Sequence, residues 1–384
     1  VVGTGDFTFP AHLKAIEEEL EEREDGLFTL KSEATKDDAP RFMLTTEVSN
    51  IYKLGDKTRK VHSLIFAPSI KAAKKIKTEL GRRGNILSDG RPIFGFTTKE
   101  LLQIVLDADA NAMLIPAHAW TPWFSIFGSK SGFDTIEECF GELSKNIYAI
   151  ETGLSSDPQM NHRISMLDKI TLISNSDAHS PSKLGREANV FETELSYLAI
   201  TSAIKDGDKK NFLYTVEFFP EEGKYHHDGH RACGVLLKPN ETRSHGGKCP
   251  VCARPVTVGV LNRIDELADR DCGVTVKNAI PSKALIPLEE IIAESMGRGV
   301  KTKGVATKYM EITDKATEFD VLMALPKDAL VEIMDERIAE GIMMVRSGDV
   351  KISPGFDGEF GKIKLFEEVS LPKPKGRRQM GLLK

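Results

Sequence analysis

Acidic residues and histidines recur at the ends of apolar, strand-like runs in the first half of the chain. They are Asp6, Glu47, His118, Glu151, Asp177 and His179, and His62 lies at the start of a further run. The carboxyl ends of parallel strands in a barrel lie on one face, so we expect these side chains to meet there. Carboxylates and imidazoles together suit zinc, manganese or iron. Because such metals activate water and offset phosphate charge, the pattern predicts a metal-dependent hydrolase of phosphoesters.

Each of these residues also has an ordinary structural explanation. A single Asp after a strand is most often a helix cap or a turn residue, and a single His most often satisfies a local hydrogen bond. The metal interpretation therefore depends on the recurrence of ionisable residues at the same point of successive strands. The i, i+2 spacing of Asp177 and His179 also turns both side chains to one side of an extended segment.

A second set of metal-type residues lies in a stretch rich in His, Cys and Gly. His230 and Cys233 form one short pair, and Cys249 and Cys252 form another after 15 intervening residues. Two such pairs are typical of one tetrahedral structural zinc, which would supply folding energy to a segment with little apolar core. We choose His230 as the fourth zinc ligand beside the three cysteines. The other candidates for this fourth ligand are His226, His227, Asp228 and His245.

Aromatic and polar residues next to these sites are candidates for binding a substrate. Trp120, Trp123 and Phe124 lie in the stretch just after His118 and include both Trp residues of the chain. Their rings either stack a base swung out of a duplex or pack the rim of the fold. Further polar groups suited to a base edge or a flanking phosphate are Ser155, Asp157, Asn161 and Arg163.

Charge and cysteine content limit the classes of protein. The formal net charge of −5 gives no global attraction to nucleic acid, so such binding must depend on local basic stretches, for example 71–83 and 301–308. For 71–83 we favour a solvated helix face. Five Cys residues without a disulfide pattern predict an intracellular protein, and we expect a prokaryotic cytoplasm. No apolar run reaches the ~20 residues of a membrane span.

The order of elements predicts an α/β fold in several regions. Residues 1–215 alternate strands and helices, as in a parallel α/β domain. We expect strands at 1–5, 41–49, 60–68, 111–118, 146–153 and 170–177, and helices at 12–24, 70–84, 97–110, 285–296 and 326–345. Residues 216–275 form the zinc-binding module, 276–370 a mostly helical DNA-binding domain, and 371–384 a flexible basic tail.

The motifs also resemble a known family. GTGDF, TTEVS, VHSL, PAHAW and NSDAHS are similar to the metal-binding motifs of the polymerase and histidinol phosphatase (PHP) domain, a distorted β/α barrel with up to three metals. Within that superfamily, GTGDFTFP, PAHAWTPWFSIFGSKSGFD and ETGLSSDPQMNHR resemble endonuclease Q. The resemblance continues through KYHHDGHRACG, CPVCARPVTVGVLNRIDELADR and PGFDGEFGKIKLF, and so covers nearly the whole chain.

This resemblance implies a DNA repair endonuclease that hydrolyses the phosphodiester 5′ of uracil, hypoxanthine, xanthine or an abasic site. It implies two or three divalent metals (Zn, Mg or Mn) in a PHP-type barrel, besides the structural zinc. The implied ligands are Asp6, Glu47, His62, His118, Asp177 and His179. We assign catalytic roles to Asp6, Glu47, Glu151 and Asp177. The expected partner is DNA containing deaminated bases.

Two departures from the PHP pattern accompany the resemblance. PHP domains usually begin with an Asp-x-His-x-His strand, which we expect to precede Val1 in the full protein, and Phe7 stands where many members have a His ligand. The tail residues Gln379, Leu382 and Leu383 weakly resemble the start of a motif that docks on sliding clamps. Two other functions stay open: a PHP phosphoesterase for a small phosphorylated metabolite, and a zinc-dependent DNA-binding protein without catalysis. The zinc module and the basic tail argue against the former.

Overall fold

The computed structural model describes residues 1–87 and 90–366. The described residues divide into two compact units: Val1–Ile286 with Ile352–Lys362, and Pro287–Lys351 with residues 363–366. The predicted boundaries at 215 and 275 both fall inside the first unit, so the proposed zinc-binding module packs as part of it. The predicted tail 371–384, including the possible clamp-docking residues, lies outside the described residues.

The first unit mixes strands and helices along its length. Its strands are β1 (Val2–Gly3), β2 (Leu20–Glu24), β3 (Leu27–Leu30), β4 (Phe42–Leu54), β5 (Lys57–Ala67), β6 (Ile93–Phe94), β7 (Met113–Pro116), β8 (Ala149–Glu151), β9 (Thr171–Ile173), β10 (Ala188–Phe191), β11 (Phe212–Glu217), β12 (Asp228–His230), β13 (Val235–Leu237) and β14 (Ser282–Ala284). Its helices are α1 (Pro10–Glu19), α2 (Ile70–Arg83), α3 (Thr98–Ala108), α4 (Ile136–Phe140), α5 (Pro158–Asn161), α6 (Tyr197–Asp206), α7 (Pro239–Ser244) and α8 (Val260–Leu267).

The largest sheet of this unit has mixed strand directions. Its order is β2-β3-β4-β5-β7, with β1 and β6 also pairing with β4. The pairs β4–β5 and β5–β7 are antiparallel, whereas β1–β4, β4–β6 and the separate pair β8–β9 are parallel. The prediction of parallel strands is therefore wrong for β4 and β5. Only Gly55 and Asp56 separate their paired ends, and so short a connection joins antiparallel strands only. The closed PHP-type barrel stays a prediction.

Two helices over the β4–β5 hairpin follow their sequence signals closely. In α2, the Ser69 side chain caps the first turn by accepting from Ala72 N, and the buried residues Ala72, Ala73, Ile76 and Leu80 recur at helical spacing. In α3, Thr97 is the N-cap and forms a reciprocal capping box with Glu100. Both helices contribute to the same apolar cluster as Leu44 and Ile65 of the sheet.

Phe7, which stands where many PHP domains have a histidine metal ligand, is a core residue. Phe7 is fully buried in the main apolar cluster of the first unit. An imidazole there would replace a large apolar side chain in a closely packed interior, so its departure from the PHP pattern has a packing role. The predicted helix 12–24 ends earlier than expected, at Glu19, and its last residues instead form β2, which pairs with β3.

The second unit is mostly helical. Its helices are α9 (Leu288–Ser295), α10 (Lys303–Thr313), α11 (Lys327–Ile333) and α12 (Glu336–Ser347), with a π-helical turn at Asp320–Ala324. The single helix predicted over 326–345 is two helices, because Met334 adopts an extended conformation (φ −149°, ψ 172°). Short strands β15 (Lys351–Ser353) and β16 (Lys362–Lys364) flank the segment that returns to the first unit. Within the described chain, no helix is long and apolar enough to cross a bilayer.

Candidate active site

The register of the β4–β5 hairpin brings Glu47 and His62 together. Glu47 lies opposite Leu64, and Ser49 lies opposite His62, so Glu47 and His62 are diagonal neighbours on one face. Their closest atoms, Glu47 Oε1 and His62 Nδ1, are 3.1 Å apart. This contact depends on antiparallel pairing in the middle of the long strand β4. The sequence analysis had instead placed Glu47 at the end of a strand.

His118 completes this cluster from the neighbouring strand. It follows β7, where Ala117 N donates to His62 O at 3.1 Å. His118 Nε2 lies 3.4 Å from Glu47 Oε1 and 3.1 Å from His62 Nδ1. The ligand-type atoms of all three residues lie within 4.8 Å of one another, which is compatible with one shared metal ion. We call Glu47, His62 and His118 the central triad.

The electrostatics of the central triad favour an anionic carboxylate and a neutral His62. Burial raises the pKa of Glu47, but the adjacent His118 and His62 imidazoles and the charge of Arg91 outweigh it and hold the pKa well below its usual range. Burial lowers the pKa of His62 to about 4, so its imidazole keeps a lone pair at neutral pH. Burial also lowers the pKa of His118, but its hydrogen bond to Glu47 and nearby acidic charges reverse this and raise it.

Several predicted ligands have a strained backbone. Asp6, His118 and Asp177 have φ values of 39°, 31° and 45°, which residues other than Gly rarely adopt. Such strain concentrates at functional sites, where the surrounding structure holds it in place. Gly153 is required beside His118, because a Cβ at Gly153 would lie 2.7 Å from His118 Cβ, and its φ is +62°.

The other three predicted ligands lie outside the central triad. Asp177 and His179 are in the loop after β9, and the His179 ring is 76% exposed, with its Nδ1 2.9 Å from Asp177 O. The charge of Asp177 helps to raise the pKa of His118, so the loop lies near the triad. Asp6 follows β1, and Val2 of β1 pairs with Phe42 of β4, five residues before Glu47. Their roles as ligands stay predictions.

Glu151 contacts the backbone of His118 from the protein interior. It is 2% exposed, its Oε2 accepts from His118 N at 2.7 Å, and its Oε1 accepts from Asn175 Nδ2 at 2.9 Å. Burial raises the pKa of Glu151 to about 7. These contacts fit a residue that positions His118; the predicted catalytic role of Glu151 stays a prediction.

The sequence analysis missed Arg91. Its Nη1 lies 2.5 Å from Glu47 Oε1 and 2.6 Å from His62 Nδ1, at the centre of the candidate site. Arg91 precedes β6 in a stretch with no strand-end acid or histidine, and a lone Arg before a proline carries no sequence signal.

The aromatic residues after His118 differ in burial: Trp120 is buried, Phe124 is partly buried and Trp123 is exposed. Trp120 is 1% exposed, and its indole N–H donates to the buried Asn161 Oδ1 at 2.7 Å, so these two residues pack the interior. This is the packing alternative, and it removes both from the expected substrate contacts. Trp123 is 36% exposed and meets the Tyr225 ring edge-on at 5.6 Å. The Phe124 ring lies 4.7 Å from the His62 ring.

The polar residues after β8 have mainly local partners. Asp157 caps α5 by accepting from Met160 N at 2.8 Å. Arg163 pairs with Asp265 at 2.7 Å and is only 11% exposed. Ser155 is partly exposed. The expected contacts of these residues with substrate stay predictions.

The cysteine-rich segment forms a second donor group. The ligand atoms of His230, Cys233, Cys249 and Cys252 lie within 4.8 Å of one another, and Cys252 Sγ is 3.4 Å from His230 Nδ1. Burial raises the pKa of Cys249, but the backbone N–H groups of Cys252 and Val251 outweigh it and lower the pKa to about 7. Three sulfurs and an imidazole suit tetrahedral zinc.

The alternative candidates for the fourth zinc ligand are not part of this donor group. His226 and His227 are buried against each other, with ring centroids 5.1 Å apart. Asp228 is fully buried and accepts from Gly259 N at 2.6 Å and from Thr242 Oγ1. His245 is exposed at the end of α7. The sequence choice of His230 therefore agrees with the geometry.

A mixed α/β unit with an interior Glu/His/His cluster and a separate His/Cys/Cys/Cys cluster defines a candidate metalloprotein. Its backbone is similar to the crystal structure of the lesion-specific endonuclease PfuEndoQ from Pyrococcus furiosus, with a TM-score of 0.83 and 30% identity over 96% of this chain and 87% of that one. It is also similar to endonuclease Q in complex with a 27-mer duplex carrying an abasic lesion at the active site (TM-score 0.81, 30% identity, 96% of this chain and 88% of that one). The chain belongs to the endonuclease Q family.

Sequence comparisons identify one domain family and two uncharacterized relatives. The family described as the MJ0043 C-terminal domain matches residues 287–349, within the second unit. The uncharacterized protein MJ0043 of Methanocaldococcus jannaschii is 34% identical over 255 residues, 64% of this chain but 31% of that protein. The uncharacterized protein YqxK of Bacillus subtilis is 30% identical over 312 residues, 79% of this chain and 74% of that protein. The chain thus spans about a third of the length of MJ0043.

Proposed function

We propose that the chain is a metal-dependent endonuclease of DNA repair. It hydrolyses the phosphodiester 5′ of a deaminated base (uracil, hypoxanthine or xanthine) or of an abasic site. The observation that carries this proposal is the central triad, which places a carboxylate and two imidazoles within 4.8 Å of one another in a member of the endonuclease Q family. The relative bound to abasic DNA supports the same substrate class.

The donor chemistry of the triad fits divalent metals. Glu47 is anionic and His62 is neutral at neutral pH, so both offer lone pairs to Zn²⁺ or Mn²⁺. We propose that Asp6, Asp177 and His179 complete two or three metal positions on a PHP-type barrel. Ions bound there would lower the pKa of a water and offset the charge of the scissile phosphate, leaving a 3′-hydroxyl and a 5′-phosphate.

The protein groups around the triad supply positioning. Glu151 holds the backbone of His118 through its hydrogen bond to His118 N. Trp123 and Phe124 lie in the loop that follows His118, and Trp123 is exposed, so we propose that they stack the base extruded from the duplex. This division leaves chemistry to the triad and recognition to the aromatic loop.

We further propose that His230, Cys233, Cys249 and Cys252 bind one structural zinc. We also propose that this cysteine-rich segment binds duplex DNA. The apolar cluster of this segment, Leu237, Cys249 and Val256, is small, so a bound metal would add folding energy there.

The test uses the full chain with end-labelled duplexes that carry one deoxyuridine, one deoxyinosine or one abasic site. With Mn²⁺ or Mg²⁺, we expect one nick 5′ of the lesion and no cleavage of undamaged duplex. Glu47→Gln and His118→Ala should each reduce the cleavage rate about 100-fold or more, because even outer partners of a metal site cost 10–100-fold. Glu137→Gln is the matched control for Glu47→Gln, since Glu137 is exposed on α4 and outside both donor groups.

The other outcomes identify the alternatives. Hydrolysis of p-nitrophenyl phosphate with the lesion DNA untouched would identify a phosphoesterase for small metabolites. Lesion-dependent binding without cleavage under any divalent metal would identify a DNA-binding protein that lacks catalysis. Either result contradicts the proposed endonuclease.

A further inference from the structure

Arg91 uses the same lone pairs as a metal ion in the central triad. Its Nη1 donates to Glu47 Oε1 at 2.5 Å and to His62 Nδ1 at 2.6 Å. The two acceptor atoms are themselves 3.1 Å apart, so one guanidinium nitrogen bridges them. A divalent cation bound through Glu47 Oε1 and His62 Nδ1 would take the position of that guanidinium nitrogen, and the one lone pair of His62 Nδ1 serves one partner at a time.

Charge makes this competition stronger. The positive charge of Arg91 lies 2.5 Å from the Glu47 carboxylate and already balances it. Adding a divalent cation while the guanidinium stays would place like charges within a few ångströms in a partly buried site. Binding of the metal therefore requires the guanidinium to leave.

Arg91 has room to leave. Its side chain is 30% exposed, so part of it already faces solvent. The preceding Gly90 has φ +85° and open space at its Cβ position, whereas Pro92 O is fixed by Ser49 N at 2.9 Å. The side chain can thus rotate outward while β6 keeps its pairing with β4.

We propose that Arg91 is an internal cation that competes with divalent metal for the central triad and is released to solvent when the metal binds. The consequence is a metal affinity set lower than the ligands alone would give, and a positive group freed at the mouth of the site. This inference rests on the proposed metal site, and its test reads out metal binding and side-chain exposure, not DNA cleavage.

The first experiment measures Mn²⁺ binding to the chelator-treated full chain by titration calorimetry. Arg91→Gln removes the competing charge, and we expect its Mn²⁺ dissociation constant to be ~10-fold or more below that of the wild type. Arg82→Gln is the matched control, because Arg82 is 72% exposed on α2 and pairs with Glu79, away from the triad. Its affinity for Mn²⁺ should equal that of the wild type.

The second experiment needs no variant, so it stands even where Arg91→Gln folds poorly. Wild-type protein is treated with phenylglyoxal with and without saturating Mn²⁺, and modified arginines are quantified by mass spectrometry. We expect Mn²⁺ to increase modification of Arg91 several-fold and to leave Arg82 unchanged.

Each outcome has a distinct meaning. Equal Mn²⁺ affinity of Arg91→Gln and wild type, or Arg91 modification that Mn²⁺ leaves unchanged or reduces, overturns the role of Arg91 alone. Absence of Mn²⁺ binding in both proteins overturns the proposed metal site and this inference with it. Lesion cleavage that fails while metal binding and Arg91 release occur as expected contradicts the proposed function only.

Discussion

Arg263 Nε donates a hydrogen bond of 3.0 Å to the carbonyl oxygen of Phe127, 136 residues earlier in the chain. Its Nη2 donates to Phe133 O at 3.1 Å, and the guanidinium also pairs with Asp134. Arg263 lies on α8, next to the cysteine-rich segment, whereas its partners lie in the loop that carries Trp123. The helix therefore holds the loop that we propose reads the lesion.

Replacement of this buried guanidinium should destabilise the first unit. We expect Arg263→Met to lower the free energy of unfolding by about 3 kcal/mol, because the carbonyl groups of Phe127 and Phe133 lose their buried donor. Urea unfolding followed by circular dichroism measures the change. Arg243→Met is the control: Arg243 is 59% exposed in its pair with Asp265, and such pairs contribute about 1 kcal/mol or less. Equal losses for both variants would contradict the anchoring role.

Removal of the structural metal should unfold the cysteine-rich segment while leaving the rest of the first unit intact. We expect Cys252→Ala to bind one zinc fewer than wild type and to expose 228–257 to limited proteolysis, because metal binding supplies folding energy there. Zinc content is measured with a chromophoric chelator after denaturation. Cys272→Ser, at an exposed cysteine outside the donor group, should keep its zinc. Full zinc content in Cys252→Ala would refute the assigned ligand set.

Trp123 and Trp120 should respond differently to substitution. Loss of a stacking ring costs ~1–3 kcal/mol of binding per base, so Trp123→Ala should weaken binding to a deoxyuridine duplex about 10-fold or more. Binding to an abasic duplex should be unchanged, because no base is present to stack. Fluorescence anisotropy without divalent metal measures both. Trp120→Phe should instead reduce stability, since Trp120 is buried and bonded to Asn161. An equal loss on both duplexes would rule out stacking.

Glu217 should make the first unit less stable as the pH rises. Burial raises the pKa of this carboxyl to about 7, and its Oε1 has no hydrogen-bond partner among the described residues. The folded protein therefore holds this proton more tightly than the unfolded chain, whose carboxyl titrates near 4.5. The stabilisation is complete below pH 4.5 and is lost as the pH rises through about 7.

Glu217→Gln tests this pH dependence. The amide stays neutral, so unfolding free energies measured by urea between pH 5 and 8 should fall less steeply with pH than in the wild type. Glu137→Gln, at an exposed position on α4, should keep the wild-type slope. A Glu217→Gln profile parallel to that of the wild type would show that another group governs this range.

Local signals were sufficient for part of the fold. The α3 start at Thr97 follows from the Thr-x-x-Glu spacing, because a capping box satisfies backbone N–H groups within four residues. The grouping of His230 with three cysteines likewise follows from short-range spacing. The helix predicted over 326–345 was wrong at Met334, where burial in the second unit overrides helical propensity.

The candidate site shows the boundary between sequence and tertiary structure most clearly. By itself, the sequence determined the residue types: a carboxylate and two imidazoles able to bind a metal, and a cysteine-rich segment with zinc spacing. Only the tertiary structure decided that Glu47 meets His62 through antiparallel register, that Trp120 is buried whereas Trp123 is exposed, and that Arg91 enters the triad. The physical reason is that register, burial and long-range side-chain contacts depend on pairings between distant segments, which spacing along the chain does not encode.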